Sequence, residues 1–136
     1  MDFFVFVNEQ WILVSLLLAL VYLLVFSEHI KAGKQLSVHD LTRLVNRDEA
    51  ILVDVRDGKE FQGGHIAGAI NIPLAKLDER LAELDKFKAK TVIVVDKLGQ
   101  QSGSVGRKLR QAGFEVCRLR GGMSEWQSQS LPVIAK

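Results

Sequence analysis

The chain has 136 residues, 48% hydrophobic and 25% charged, which excludes a disordered polymer and leaves room for one ordinary domain with a short appendage. Eighteen Lys and Arg against sixteen Asp and Glu give a net charge of +2 with no basic stripe interleaved with aromatics, so nucleic acid is not an expected partner. A single cysteine excludes an internal disulfide, and with three scattered histidines it offers no zinc spacing, so neither a metal nor a cofactor is expected.

Residues 1–27 read as a transmembrane anchor. From Trp11 to Phe26 the chain is uncharged and almost wholly aliphatic or aromatic, about 24 Å of helix at 1.5 Å per residue. Phe3–Val7 extends the run past a polar interruption at Asn8, Glu9 and Gln10. A cleaved signal peptide opens on positive charge, whereas the charged side chains ahead of Trp11 are Asp2 and Glu9. All eighteen basic residues lie at or after Lys31, beginning with Lys31 and Lys34. Positive flanks stay in the cytoplasm, so the expectation is a single-pass inner (plasma) membrane protein with its N-terminus outside and the remainder cytoplasmic. Over residues 31–136, eighteen basic less thirteen acidic residues leave +5, which suits anionic lipid but also an ordinary solvated surface.

Residues 28–35 read as a short linker. Ser37, with Asp40 three residues on, caps a helix through Leu41, Leu44 and Val45. Ile51–Val55 is a β-branched run expected as a buried parallel strand. A long connection from Asp57 to Pro73 holds a brief strand near Ala69–Asn71. Leu77, Leu81 and Leu84 fall at i, i+4 and i+7 and predict a helix laid on the sheet. Thr91–Val95 is a second buried strand, Val105, Leu109 and Ala112 mark a helix ended by Gly113, and Phe114–Leu119 is a further strand. Trp126 is expected to pack the last helix down. Alternating strands and helices imply an α/β fold with a mostly parallel sheet covered on both faces.

Leu52-Val53-Asp54-Val55-Arg56, then Glu60-Phe61, Gly64-His65-Ile66, Gly68-Ala69 and Asn71-Ile72-Pro73-Leu74, form one connected pattern. Gly113-Phe114, Gly121-Gly122, Trp126 and Leu131-Pro132-Val133 form a second. Together they resemble a single rhodanese-like domain over residues 36 to 133, and the domain is given the boundaries 36–136. The resemblance implies a three-layer α/β domain and an activity of the sulfurtransferase type, in which a cysteine thiolate becomes a persulfide. It also implies that Asp54, Arg56, Glu60 and His65 are mainly structural, fixing loops around the sheet by hydrogen bonds and ion pairs; an acid–base pair from Glu60 and His65 is the weaker alternative.

Between the two patterns the family usually reads CxxGxRS, and this chain reads Asp96-Lys97-Leu98-Gly99-Gln100-Gln101-Ser102. By that resemblance Asp96 takes the nucleophile's place and Gln101 the place of an arginine that holds an anionic substrate. A carboxylate cannot carry a persulfide. The layout puts Asp96 at the carboxyl end of a parallel strand, where open α/β sheets place their sites, before a helix N-terminus whose N–H groups favour negative charge. Asp96 is expected to fill that hollow from within.

An aspartyl phosphoenzyme would need a metal or phosphate clamp, and Lys97 is the one cation inside the loop. Cys117, in a strand with no glycine-rich cradle, reads as a structural cysteine. Three functions remain. The favoured one is a membrane-anchored, non-catalytic module that binds a protein or an anion through residues 96–102. The second is a sulfurtransferase or sulfur carrier using Cys117 or an external thiol. The third is a purely structural subunit with no ligand at the loop.

Overall fold

The computed structural model describes residues 3–135, with Phe6 and residues 28–32 described by backbone alone. Met1, Asp2 and Lys136, which the expected anchor and domain boundaries include, lie outside the described residues, as do the side chains of His29 and Lys31. Two compact units divide the chain between Ile30 and Lys31.

The first unit is built on one helix, α1 (Phe3–Ala32), which runs unbroken through Asn8, Glu9 and Gln10. Its 25 residues Phe3–Ser27, with a mean hydropathy of 2.3, are long and apolar enough to cross a membrane. At 1.5 Å per residue they span about 37 Å, more than a hydrocarbon core of about 30 Å. Tyr22 and Phe26, one turn apart, stack with ring centroids 6.0 Å apart.

The second unit is a five-stranded sheet with strand order β1-β5-β4-β2-β3, every pairing parallel. The strands are β1 (Lys34–Leu36), β2 (Ala50–Asp54), β3 (Ile70–Asn71), β4 (Thr91–Val95) and β5 (Val116–Leu119). The helices are α2 (Val38–Asn46), α3 (Gly58–Gly63), α4 (Leu77–Arg80), α5 (Ser102–Gln111) and α6 (Gly122–Ser128). Successive residues of β2 and β4 feed opposite faces, because the pleat has a period of two. Leu52, Ile93 and Val95 join Leu41, Leu119, Met123 and Trp126 on one side, while Val53, Val92 and Val94 join Leu77, Leu84, Val105 and Leu109 on the other. With both faces covered, these strands read as continuous apolar runs.

Local chemistry starts and stops the helices. Asp40 N donates to Ser37 Oγ at 3.2 Å, capping α2. Gly113, with φ +96°, follows α5 in the left-handed conformation that ends many helices. Trp126 anchors α6, its Nε1 donating to the Pro132 carbonyl at 3.0 Å.

Three elements differ from the sequence reading. Lys34–Leu36, whose first two residues were expected within the linker, is an edge strand in register with Cys117–Leu119 of β5. The segment 58–63, read as part of a connection, contains α3. Residues 77–87 are not one α-helix: α4 is a single turn between 3-10 turns at Leu74–Lys76 and Leu81–Phe87. Leu81, Leu84 and Phe87 recur every three residues and all pack into the second core cluster, the period of a 3-10 turn rather than of an α-helix.

Candidate functional site

The site forms where β2 and β4 end side by side. Val55 N donates to the Val95 carbonyl at 3.0 Å, which holds the chain leaving β2 against the chain leaving β4. Beyond Val95 the backbone turns through residues 96–102 into the first turn of α5. Asp96 is 1% exposed, and its carboxylate is fully engaged by that turn. Oδ1 accepts from Gly99 N at 2.7 Å, and Oδ2 accepts from Gln101 N at 2.7 Å and Ser102 N at 3.0 Å. Charge-assisted bonds of this length are the strong kind, and the N-terminus of α5 adds a favourable dipole.

The loop is closed from the other side by α6. Met123 N donates to the Asp96 carbonyl at 2.7 Å and Ser124 N to the Lys97 carbonyl at 2.9 Å. Gly122, with φ +59°, lies so close that a Cβ there would stand 2.6 Å from Asp96 Oδ1. Gly122→Ala is therefore expected to displace the loop and lower stability by about 1–3 kcal/mol; an unchanged thermal midpoint would contradict this packing.

A cleft of about 400 Å³ opens beside the loop, lined by Asp96, Lys97, Leu98, Gln100 and Gln101 on one side and by Arg56, Asp57, Glu60, Leu74 and Ala75 on the other. A second concavity of about 340 Å³ shares Arg56, Glu60, Lys97 and Leu98 and reaches Ser124 and Gln127. Leu98 projects between them and is 54% exposed. Gly99 lies deeper, its φ of +89° and its 3.1 Å Cβ approach to Gly121 N leaving no room for a side chain. Ser102 is buried, its hydroxyl donating to the Gly99 carbonyl at 3.3 Å.

The first sequence pattern forms the wall opposite. Arg56 grips Asp54 through Nε, at 3.0 and 3.1 Å, and through a second nitrogen at 2.8 Å, and also donates to the Gly64 carbonyl at 2.8 Å. His65 stacks on Phe61 at 3.8 Å between centroids, with Nδ1 2.8 Å from the Phe61 carbonyl. His65 also pairs with Ile134 through two backbone hydrogen bonds. Glu60 is exposed and lines the cleft.

Cys117 sits opposite Ile93 of β4, three residues before Asp96. At about 3.3 Å per residue that is about 10 Å along the strand, so the fold does not bring the thiol to the loop. Burial, and then Glu115, push its pKa above the ordinary value. Its thiolate fraction at pH 8 should thus fall below that of a free cysteine, and alkylation by iodoacetamide should be correspondingly slower. Alkylation at the free-cysteine rate would contradict this environment.

Two buried residues lie outside the sequence reading, of which Gly122 belongs to the site. Gly122 was visible as half of a Gly-Gly pair, but its approach to Asp96 depends on where α6 docks. Arg118, a charge inside an otherwise apolar strand, is 6% exposed and donates from Nε to the Gly33 carbonyl at 3.2 Å. Its place in the strand was the available signal.

Comparisons with known proteins agree with this architecture. The family model for a rhodanese-like domain matches residues 37–129. The uncharacterized protein YibN of Escherichia coli is 36% identical over 120 residues, covering 87% of this chain and 84% of that protein. The thiosulfate sulfurtransferase GlpE of Coxiella burnetii is 36% identical over 96 residues, covering 70% of this chain and 88% of that one. Among solved structures, a rhodanese-related protein from Thermoplasma volcanium superimposes with a TM-score of 0.69 at 27% identity, covering 76% of this chain and 99% of that one.

Proposed function

The chain belongs to the rhodanese-like domain family, related to sulfurtransferases, and from that premise we propose that it is a membrane-anchored, non-catalytic member whose loop 96–102 binds another protein at the cytoplasmic face. The observation that carries the reading is the complete internal use of the Asp96 carboxylate. Asp96 takes the nucleophile's position but offers oxygen where sulfur transfer needs a thiolate, and it occupies the N–H groups of Gly99, Gln101 and Ser102 that would otherwise receive an anion. Arg56, the other strong anion donor in the cleft wall, is committed to Asp54 and Gly64. An anionic small molecule is therefore a poorer occupant than a protein surface that meets exposed Leu98 and Lys97.

The apolar span Phe3–Ser27 supports the anchor, and Lys31 and Lys34 just beyond it support a cytoplasmic domain. Tethering would raise the effective concentration of a weak partner that is itself in the membrane. The competing sulfurtransferase reading uses Cys117 or an external thiol, and the raised pKa of Cys117 disfavours a thiolate there.

Leu98→Glu and Lys97→Glu change exposed side chains without touching the Asp96 hydrogen bonds. In intact membranes, cross-linking through tagged full-length protein is expected to recover a partner whose yield falls about tenfold or more in these variants, the size of a lost hot-spot contact. Identical partners in identical yield from wild type and variants would contradict the binding-loop reading.

A further inference from the structure

Arg56 has one donor group left over. Its Nε and Nη2 are taken by Asp54 and the Gly64 carbonyl, but Nη1 has no hydrogen-bond partner among the described residues. The residue is 8% exposed, and no fully buried side-chain nitrogen or oxygen among the described residues lacks a partner, so Nη1 reaches solvent. The concavities that Arg56 lines are the two beside the loop. Because Asp54 already meets the charge of Arg56, this free N–H suits a neutral carbonyl oxygen.

Asp57 and Glu60 set the charge of the same wall. They stand three residues apart at the start of α3, both exposed and both lining the cleft with Arg56. Asp57 makes no capping bond, and neither carboxylate has a hydrogen-bond or ion-pair partner among the described residues. Lys97 is the one free cation among the described residues that line the cleft, so two unpaired carboxylates stand against one ammonium. Leu74 and Leu98 add apolar surface between them. An arginine side chain complements such walls, its stem packing on the apolar part while its guanidinium engages carboxylates.

We propose that the cleft of about 400 Å³ takes an arginine-bearing polypeptide segment of a membrane protein: Asp57 and Glu60 receive the guanidinium, and Arg56 Nη1 donates to a main-chain carbonyl of the segment. Lys97, on the loop side, meets an acidic neighbour in that segment. Membrane proteins keep their Lys and Arg beside their spans on the cytoplasmic side, so a partner in the same membrane presents such residues where the domain is proposed to lie. This rests on the binding-loop reading and names the chemistry of the partner. A probe titration needs no partner, so it can fail while loop variants still release a cross-linked protein, and the two failures are distinct.

The probes are N-acetylarginine N-methylamide, its neutral citrulline counterpart, and butylguanidinium, which keeps the cation but has no amides. Each is titrated into full-length, nitrogen-15-labelled protein in non-ionic detergent while the Glu60 and Leu98 amide resonances are followed. The arginine probe is expected to shift both, with a midpoint about tenfold or more below that of citrulline, the worth of a charge-assisted hydrogen bond. Asp57→Asn with Glu60→Gln, both at exposed positions, should bring the two midpoints within about twofold of each other. Butylguanidinium should need about fivefold more than the arginine probe, since it offers Arg56 no carbonyl. Equal midpoints for arginine and citrulline in wild type, or an arginine preference that survives the double variant, overturns the proposal; equal midpoints for arginine and butylguanidinium overturn the contact assigned to Arg56 Nη1.

Discussion

Replacing Asp54 with Ala should destabilise the domain by about 3–5 kcal/mol, the loss seen when one partner of a buried ion pair is removed. Asp54 is 1% exposed, and its carboxylate takes up Nε and a second nitrogen of Arg56 at distances between 2.8 and 3.1 Å. Its Oδ1 also accepts from the Arg56 backbone N–H at 3.0 Å. Without it the guanidinium stays buried against the Gly64 carbonyl alone. Such a loss is a large share of a typical stability of about 5–15 kcal/mol, so the thermal midpoint should fall by many degrees. The double variant Asp54→Leu with Arg56→Met should recover most of the difference, because an apolar pair removes the charge it would otherwise strand. Chemical denaturation of the full chain in detergent, followed by Trp126 fluorescence with Trp11→Phe as background, measures both; equal losses in single and double variants would contradict the pairing.

The second large effect concerns chemistry. In a Cys117→Ser background, Asp96→Cys together with Gln101→Arg should yield a thiol titrating well below the ordinary value of about 8.5. The N–H groups of Gly99, Gln101 and Ser102, from the loop and the start of α5, already converge on the Asp96 side chain. Ultraviolet absorbance of the thiolate against pH gives the answer directly. A thiol titrating near 8.5 or above would show that the hollow does not stabilise an anion, and would remove the physical basis for reading Asp96 as its internal occupant.

Much of this molecule is legible in its residues, and the exceptions have physical causes. The β-branched runs at Ile51–Val55 and Thr91–Val95 announce central strands because both faces of each are buried, and the structure places β2 and β4 within one residue of them. Ser37 announces α2 because a helix end must satisfy its own N–H groups. By contrast β1 is three residues, of which only Leu36 is buried; what makes it a strand is the β5 edge, remote in sequence. Leu77, Leu81 and Leu84 fit an α-helix as well as they fit a turn followed by 3-10 structure, and Phe87, which breaks the tie, continues the spacing of three only after Leu81. At the site, the loop from Asp96 to Ser102 declares itself by its length and its glycine. The docking of α6 on that loop, through the Asp96 and Lys97 carbonyls, is tertiary and leaves no local pattern.

The most direct test is to expose the purified wild-type chain to thiosulfate or a small-molecule persulfide and weigh the intact protein under non-reducing conditions. The account predicts no added sulfur on the polypeptide and no thiocyanate when cyanide follows. A sulfur adduct on Cys117 that forms and discharges with turnover, and is lost in Cys117→Ser, would contradict it.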